Sequence, residues 1–189
     1  MPIAAPTEGI SSRGSDGPVP CGKAETATTD MVAVTTKTQC YVVHGTTWDE
    51  VNLAIHEKGP DVAKVDAVAV TDWKIGADYV VVDRTTSCAA TQIAVHLDLR
   101  YEYPRIHPDP VGTLAVQWAG YLASDVIPHE EHHGVLALDG ARRLLRELRQ
   151  LPDSVTCDIM RASLSSAVSA VIADTRKKQD AFDHREYGG

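Results

Sequence analysis

Residues 129–150 read HEEHHGVLALDGARRLLRELRQ, and this stretch does most to decide the fold of the chain. It opens with the pattern H-E-x-x-H, in which His129 and His133 are four residues apart. On a helix this spacing places both imidazoles on one face, one turn apart, where they can hold a single metal ion. Apolar or small residues recur at helical spacing as far as residue 148. The stretch therefore predicts an amphipathic helix that carries two histidine ligands.

Glu130 follows the first histidine, in the position of a general base that takes a proton from a metal-activated water. The chemistry predicted is zinc-assisted hydrolysis, with Zn²⁺ as the cofactor. The alternative is a polar, solvated helix start, in which Glu130 and Glu131 favour the positive end of the helix dipole. His132 lies three residues after His129 and could share its helix face, but choosing it would give up the glutamate position that serves the pair His129 and His133, so we interpret it as a side chain that supports a ligand or faces solvent.

A catalytic zinc ion usually takes three protein ligands and keeps a fourth position for water, so two histidines are not enough. The further candidates are His184, Asp139, Glu147 and His96. We favour His184, which follows the predicted closing helix at a terminus that can fold back over the site. An unbroken helix would turn Asp139 away from the face that carries the histidines.

Three other residues are assigned supporting roles. Tyr187 or His132 is a candidate hydrogen-bond donor to an oxyanion, with plain surface residues as the alternative. Asp183 is a candidate partner that fixes the orientation of a ligand imidazole.

Composition bounds the class of protein. The chain has 189 residues, of which 43% are hydrophobic and 23% charged, as in one soluble globular domain. A net charge of −8 and the lack of a basic stripe argue against nucleic-acid partners. No run reaches the roughly 20 apolar residues of a membrane helix. The N-terminus has no basic and apolar signal segment, so we expect either a mature form without its signal peptide or a protein that stays inside the cell.

The pairing state of the four cysteines is evidence about the cellular compartment of the protein. Cys21, Cys40, Cys88 and Cys157 are widely spaced, with no C-x-x-C pair to indicate a thiolate zinc site. Four cysteines allow three connectivities, of which we favour Cys21–Cys40 with Cys88–Cys157. The alternative is four free thiols in a cytoplasmic protein.

Patterning divides the chain into a flexible arm, 1–30, and a single domain, 31–189. Strands are predicted at 32–43, 65–73, 78–83 and 92–101, and helices at 48–57, 111–124 and 154–182, besides the H-E-x-x-H helix. The strand 92–101 alternates apolar and polar residues, which is typical of a half-exposed antiparallel sheet. Pro128 predicts that a helix starts or bends near it. The fold class predicted is α+β, with a small antiparallel sheet packed on a zincin-like H-E-x-x-H helix and a long C-terminal helix.

A series of residues runs in order from about residue 40 to 189: Tyr41-Val42-Val43-His44-Gly45-Thr46-Thr47, Leu53, Gly59-Pro60, Thr71-Asp72-Trp73, Cys88, Tyr103-Pro104-Arg105, Trp118, the pattern at 129–133, Cys157, Gln179 and Phe182-Asp183. In this series the chain resembles a bacterial family of predicted secreted zinc-dependent proteases, catalogued as domain of unknown function 922.

The resemblance implies a small α+β metallopeptidase-like domain with His129 and His133 as ligands and Glu130 as base. It also suggests the pairing of Cys88 with Cys157 and a secreted or cell-envelope location. The chain departs from the family at two places. His132 stands where the family usually has a small residue, and the chain ends in Gly188-Gly189 where the family tends to end in a His-Gly pair.

We therefore expect a zinc-dependent hydrolase, a metallopeptidase that acts on peptide or protein substrates. Two alternatives stay open: a zinc-binding interaction domain without catalytic activity, and a metal-dependent hydrolase of a non-peptide amide. The expected location is secreted or cell envelope, or cytoplasmic if the cysteines are free.

Overall fold

The computed structural model of the chain describes residues 19–62 and 65–187. Its elements are β1 (Ala24–Thr29), β2 (Val32–Val43), α1 (Trp48–Lys58), β3 (Asp61–Val62), β4 (Val65–Asp66), β5 (Val70–Arg84), β6 (Ser87–Ile106), α2 (Gly112–Tyr121), α3 (Ile127–Gln150) and α4 (Cys157–Tyr187). The fold is α+β, as predicted, and β3 and β4 form a separate two-stranded ribbon.

The main sheet is mixed and not antiparallel as predicted. Its four strands lie in the order β1-β2-β6-β5. The outer pairs are antiparallel, but β2 and β6 are parallel, with Val32 opposite Val95 and Val43 opposite Ile106. The chain between them holds α1 and three strands, which is long enough for the return that a parallel pair requires.

The strands predicted at 65–73 and 78–83 have different bounds in the structure. Val65–Asp66 is a strand of its own, and residues 67–69 lie outside the strands. The remaining residues belong to β5, which runs from Val70 to Arg84 with a register shift between Asp78 and Val80. The ring of His96 on β6 covers Gly76, since a Cβ there would lie 2.0 Å from the histidine Nε2. The His96 ring fills the space that Gly76 leaves empty, so the pairing of β5 with β6 continues through the glycine between the two predicted strands.

The described part of the predicted arm, 1–30, contains strand β1. It pairs with β2 along its whole length through a turn at Asp30 and Met31, whose φ angles are 50° and 69°. Two positive φ values are typical of the turns that match the twist of a hairpin. The disulfide Cys21–Cys40 ties the same region to β2. Residues 24–29 are therefore part of the sheet. Pairing with β2 orders them, although their composition offers little apolar surface to bury.

The predicted alternation in β6 is confirmed. Val95, Leu97 and Leu99 are buried against α3 and α4, whereas His96 and Asp98 point to the other face. From α3 the core receives a stripe of small and apolar side chains: Ala137, Ala141, Leu144, Leu145 and Leu148. The H-E-x-x-H helix is thus pinned to the sheet by its apolar stripe.

Helix α3 follows α2 through a π-helical turn, Leu122–Val126, so the chain is helical from Gly112 to Gln150. Pro128 lies in the first turn of α3, where it has no backbone N–H to donate to the preceding turn. The wider turn accommodates this loss, and the Ser124 hydroxyl donates to the Gly120 carbonyl at 2.8 Å. At the place where a helix start or bend was predicted near Pro128, the structure has a π-helical turn followed by the start of α3.

Helix α4 packs along α3 in a close crossing. A Cβ on Gly140 would lie 2.4 Å from the Thr175 hydroxyl, so the glycine allows the two helices to touch. The C-terminal part of α4 is thereby brought beside the first turns of α3. At the other end, the predicted disulfide Cys88–Cys157 is present and joins β6 to the start of α4.

Both predicted disulfides are confirmed, and the structure describes no free cysteine in the residues it covers. Such bonds persist in oxidising compartments and indicate a non-cytoplasmic protein. None of the helices in the described ranges is long and apolar enough to cross a membrane.

Candidate metal centre

Three potential metal ligands meet between α3 and α4. His129 and His133 lie one turn apart on α3, and Asp183 faces them from α4. The Asp183 Oδ1 atom is 2.9 Å from His133 Nε2 and 3.5 Å from His129 Nε2, and the two Nε2 atoms are 3.1 Å apart. Helical spacing and the close packing of the two helices therefore converge three donor atoms on one point.

The side chain of Gln179 determines which nitrogen of His133 faces that point. Its Nε2 donates to the His133 backbone carbonyl at 3.0 Å, and its Oε1 contacts the ring Nδ1. A carbonyl oxygen can only accept, so the amide oxygen is the atom that faces Nδ1, and Nδ1 carries the proton of the bond. In a neutral imidazole the other nitrogen, Nε2, then presents its lone pair to the cluster.

An Nε2 lone pair and a carboxylate oxygen 2.9 Å apart are two acceptors at hydrogen-bond distance. They repel each other unless a cation, either a proton or a metal ion, lies between them. Donors held about 2.0–2.1 Å from one tetrahedral ion are roughly 3.3 Å apart, close to the three separations found here. The donor set and its spacing therefore fit a zinc ion.

Phe182 forms an apolar wall of the cluster. Its ring centroid lies 4.9 Å from that of His129, 4.2 Å from that of His132 and 5.1 Å from that of His133. The side chains of His129 and His133 are 10% and 12% exposed, whereas that of Asp183 is 49% exposed. Solvent therefore reaches the cluster from the carboxylate side. The contact of His132 with Phe182 gives this residue a packing role beside the two ligand candidates.

Glu130 points from α3 towards the sheet and is only 5% exposed. The Thr71 hydroxyl lies 2.6 Å from its Oε2 atom and 3.1 Å from its backbone carbonyl. Burial raises the pKa of the Glu130 carboxyl, the Thr71 hydrogen bond and nearby His133 lower it, and Asp183 raises it. The carboxylate is thus held on the sheet side of the cluster, within electrostatic reach of two of its members.

Two tyrosines of β6 lie below the start of α3. The rings of Tyr101 and Tyr103 stack at 6.0 Å, and the Tyr101 hydroxyl packs against Gly134. Burial, with smaller contributions from Glu131 and Glu130, raises the pKa of Tyr101 to about 12, and burial also raises the pKa of Tyr103. Both side chains therefore stay uncharged at neutral pH. They lie between β6 and the first turns of α3.

The structure does not bring His184 to the cluster. Helix α4 continues to Tyr187 and does not end near residue 182 as predicted, so His184 stays helical and exposed. Successive helical residues point about 100° apart, which directs Asp183 inwards and His184 away. Asp183 thus occupies the place expected for His184, and the side chain of Tyr187 lies outside the described residues.

The remaining candidate ligands pair elsewhere. Asp139 lies 3.4 Å from Arg142, Glu147 lies 2.6 Å from Arg143, and His96 lies 3.6 Å from Asp78 on the opposite face of the sheet. None of these side chains belongs to the cluster of His129, His133 and Asp183.

Sequence reasoning gave no role to Gln179, Thr71 or Phe182, although all three carry the family resemblance. A glutamine, a threonine and a phenylalanine have no spacing rule that ties them to a metal site. Gln179 and Asp183 are nevertheless one turn apart in a helical pattern, which was the available signal.

Residues 38–189 match a family described as bacterial protein of unknown function, DUF922. No curated protein and no solved structure matches the chain. The matched range takes in α3, α4 and all three members of the cluster.

Proposed function

The chain belongs to the bacterial family of unknown function DUF922, and from the site it carries we propose a zinc-dependent hydrolase whose metal is held by His129, His133 and Asp183. One observation carries the proposal. Three potential metal-ligand atoms, one of them an imidazole nitrogen whose lone pair Gln179 turns towards the other two, lie 2.9–3.5 Å apart, which is close to the spacing of ligands around one ion. Two imidazoles and a carboxylate are donors that zinc prefers at catalytic sites.

Held by His129, His133 and Asp183, a zinc ion would supply a Lewis acid able to polarise an amide carbonyl and activate a water. In this proposal Glu130 takes a proton from the water and returns it to the leaving amine, and its position next to His129 on α3, with His133 and Asp183 both contributing to its pKa, supports that role. Thr71 orients its carboxylate from the sheet. A peptide or protein is the substrate class proposed, because the H-E-x-x-H pattern is typical of metallopeptidases.

A second candidate is a zinc-binding domain without hydrolytic activity. The burial of Glu130 favours it, since a carboxylate that is 5% exposed and held by Thr71 is less open to water than a typical base. The two candidates share the metal site and differ in the role of Glu130.

Metal content tests the site that both candidates need. Elemental analysis of the purified protein should give close to one zinc per chain, and iron in its place would redirect the chemistry, because two histidines and a carboxylate also suit Fe²⁺. His133→Ala and Asp183→Ala should lose the metal. His184→Ala is the matched control, since this histidine neighbours Asp183 but faces solvent. Near-stoichiometric zinc in His133→Ala or Asp183→Ala would rule out the site.

Replacement of Glu130 by Gln separates the two candidates. With zinc retained, Glu130→Gln should lower the rate of casein or peptide-library hydrolysis by about 10²–10⁴-fold, the range for loss of a general base. Glu131→Gln, at the exposed neighbouring position, is the control and should hydrolyse at the parent rate. A zinc-loaded parent that hydrolyses no substrate would favour the binding domain, and an active Glu130→Gln variant would remove this residue from the mechanism.

A further inference from the structure

We propose that Gln179 is a positioning residue that selects the Nδ1–H tautomer of His133 and so prepares Nε2 to bind the metal. The inference rests on the proposed function in one respect, since it takes His133 as a ligand. The tautomer itself is a property of the metal-free protein and can be measured without zinc.

Gln179 contacts His133 at two atoms. Its Nε2 donates to the His133 carbonyl at 3.0 Å while its Oε1 accepts from the ring Nδ1. An amide rotated by half a turn would set its NH₂ group against Nδ1 and its oxygen against a carbonyl oxygen. The backbone contact therefore prevents the rotation that would allow the other tautomer.

Burial strengthens the hold of Gln179 on His133. Gln179 is only 6% exposed, so water is poorly placed to substitute for either contact. A buried polar group that loses its partner is left without compensation for its lost hydration, and this holds the amide in one orientation. An apolar side chain of similar length would leave the imidazole free to carry its proton on Nε2. That proton would occupy the lone pair that faces Asp183 and His129.

Helix α4 carries Gln179 and Asp183 together. It lies one turn before Asp183, on the same face of the helix, so one face supplies both the carboxylate of the cluster and the amide that orients its histidine. Any shift of α4 would move both groups together. Polar partners of this kind typically change metal affinity by about 10–100-fold when they are removed.

The primary test is ¹⁵N NMR of the histidine rings in the metal-free protein, at a pH at which the His133 ring is neutral. The parent protein should have its proton on Nδ1, and an Nε2–H ring would overturn the proposal without any variant. Gln179→Met should move the proton to Nε2 or give a mixture. Gln179→Glu loses the donor to the His133 carbonyl but keeps an oxygen acceptor for Nδ1, and because a carboxylate accepts more strongly than an amide oxygen it should keep the parent tautomer. Gln117→Met, on the exposed side of α2, is the control substitution.

The second readout is the zinc dissociation constant, measured by competition with a chelator. Gln179→Met should weaken binding at least about 10-fold, while Gln179→Glu should stay within a few-fold of the parent. Parent affinity in Gln179→Met would overturn the positioning role. If Gln179→Met does not fold, the parent spectrum and Gln179→Glu still decide, since loss of the Nδ1–H tautomer in Gln179→Glu contradicts the proposal.

The two proposals fail in different ways. A parent protein with the Nδ1–H tautomer that binds no zinc keeps the assignment of Gln179 and removes the metal site. A parent that binds zinc with a His133 ring protonated on Nε2 before loading keeps the metal site and removes the role of Gln179.

Discussion

Gly134 decides how closely α3 approaches the sheet. It follows His133 directly, and a Cβ at this position would lie 2.0 Å from the Tyr101 hydroxyl. The hydroxyl belongs to a stacked tyrosine pair, so it cannot swing freely aside. Because Gly134 has no side chain, the N-terminal part of α3 can pack close to β6.

We predict that Gly134→Ala destabilises the protein by about 1–3 kcal/mol, the usual cost of overpacking a close contact. Tyr101→Phe removes the oxygen that the new methyl group would strike and should recover a large part of this cost in the double variant. Urea unfolding of the parent, both single variants and the double variant measures the coupling. An equal cost of Gly134→Ala with and without the Tyr101 hydroxyl would show that the clash is elsewhere.

The residues of the cluster were predictable only in part. His129 and His133 follow from a spacing rule on one helix, so local periodicity was sufficient for them. Asp183 or His184 as the third member depends on where α4 ends and on its rotation against α3. Both are set by tertiary contacts such as the Gly140 crossing, which no local pattern encodes.

The bounds of the strands and helices were predicted better than the pairing and packing between them. The bounds of β2 at 32–43 agree with the structure, because alternation reports which residues face the core. The same alternation does not say which strand lies alongside, so the parallel pairing of β2 with β6 was missed. Likewise Pro128 indicated a disturbance of the helix, but not that a π-helical turn would absorb it.

At the scale of elements, the disulfide Cys88–Cys157 fastens α4 to the sheet across a separation of 69 residues. We predict that replacing both cysteines by alanine lowers the free energy of unfolding by about 2–5 kcal/mol, because the denatured chain regains loop freedom. The double alanine variant of Cys21 and Cys40 is the comparison, with a separation of 19 residues. Its entropic cost should be smaller by about 1 kcal/mol. Urea unfolding without reductant measures both, and a larger loss from the shorter loop would contradict the prediction.

Helix α4 contacts the rest of the molecule closely near both of its ends. The disulfide fixes its start to β6, and the cluster of Asp183 with His129 and His133 lies close to its end. Between them the crossing at Gly140 keeps α4 against α3. The covalent tie is permanent, whereas the tie at the cluster would be strengthened by a metal ion bound to its three members. Metal binding should therefore act on the C-terminal turns of α4 much more than on the sheet.

We predict that zinc slows amide hydrogen exchange in residues 176–187 of α4 and in the first turns of α3, and has little effect on β2 or β6. A ligand bound only by the folded arrangement stabilises it by RT ln(1 + [L]/Kd), about 2.7 kcal/mol at 100 times Kd, so protection in these turns should rise by up to about 100-fold. Asp183→Ala should lose the response, because it removes the only member of the cluster that α4 contributes. His184→Ala, which leaves the cluster intact, should keep it. Protection that rises equally throughout the sheet, or that persists in Asp183→Ala, would mean that the cation does not fasten α4 to α3.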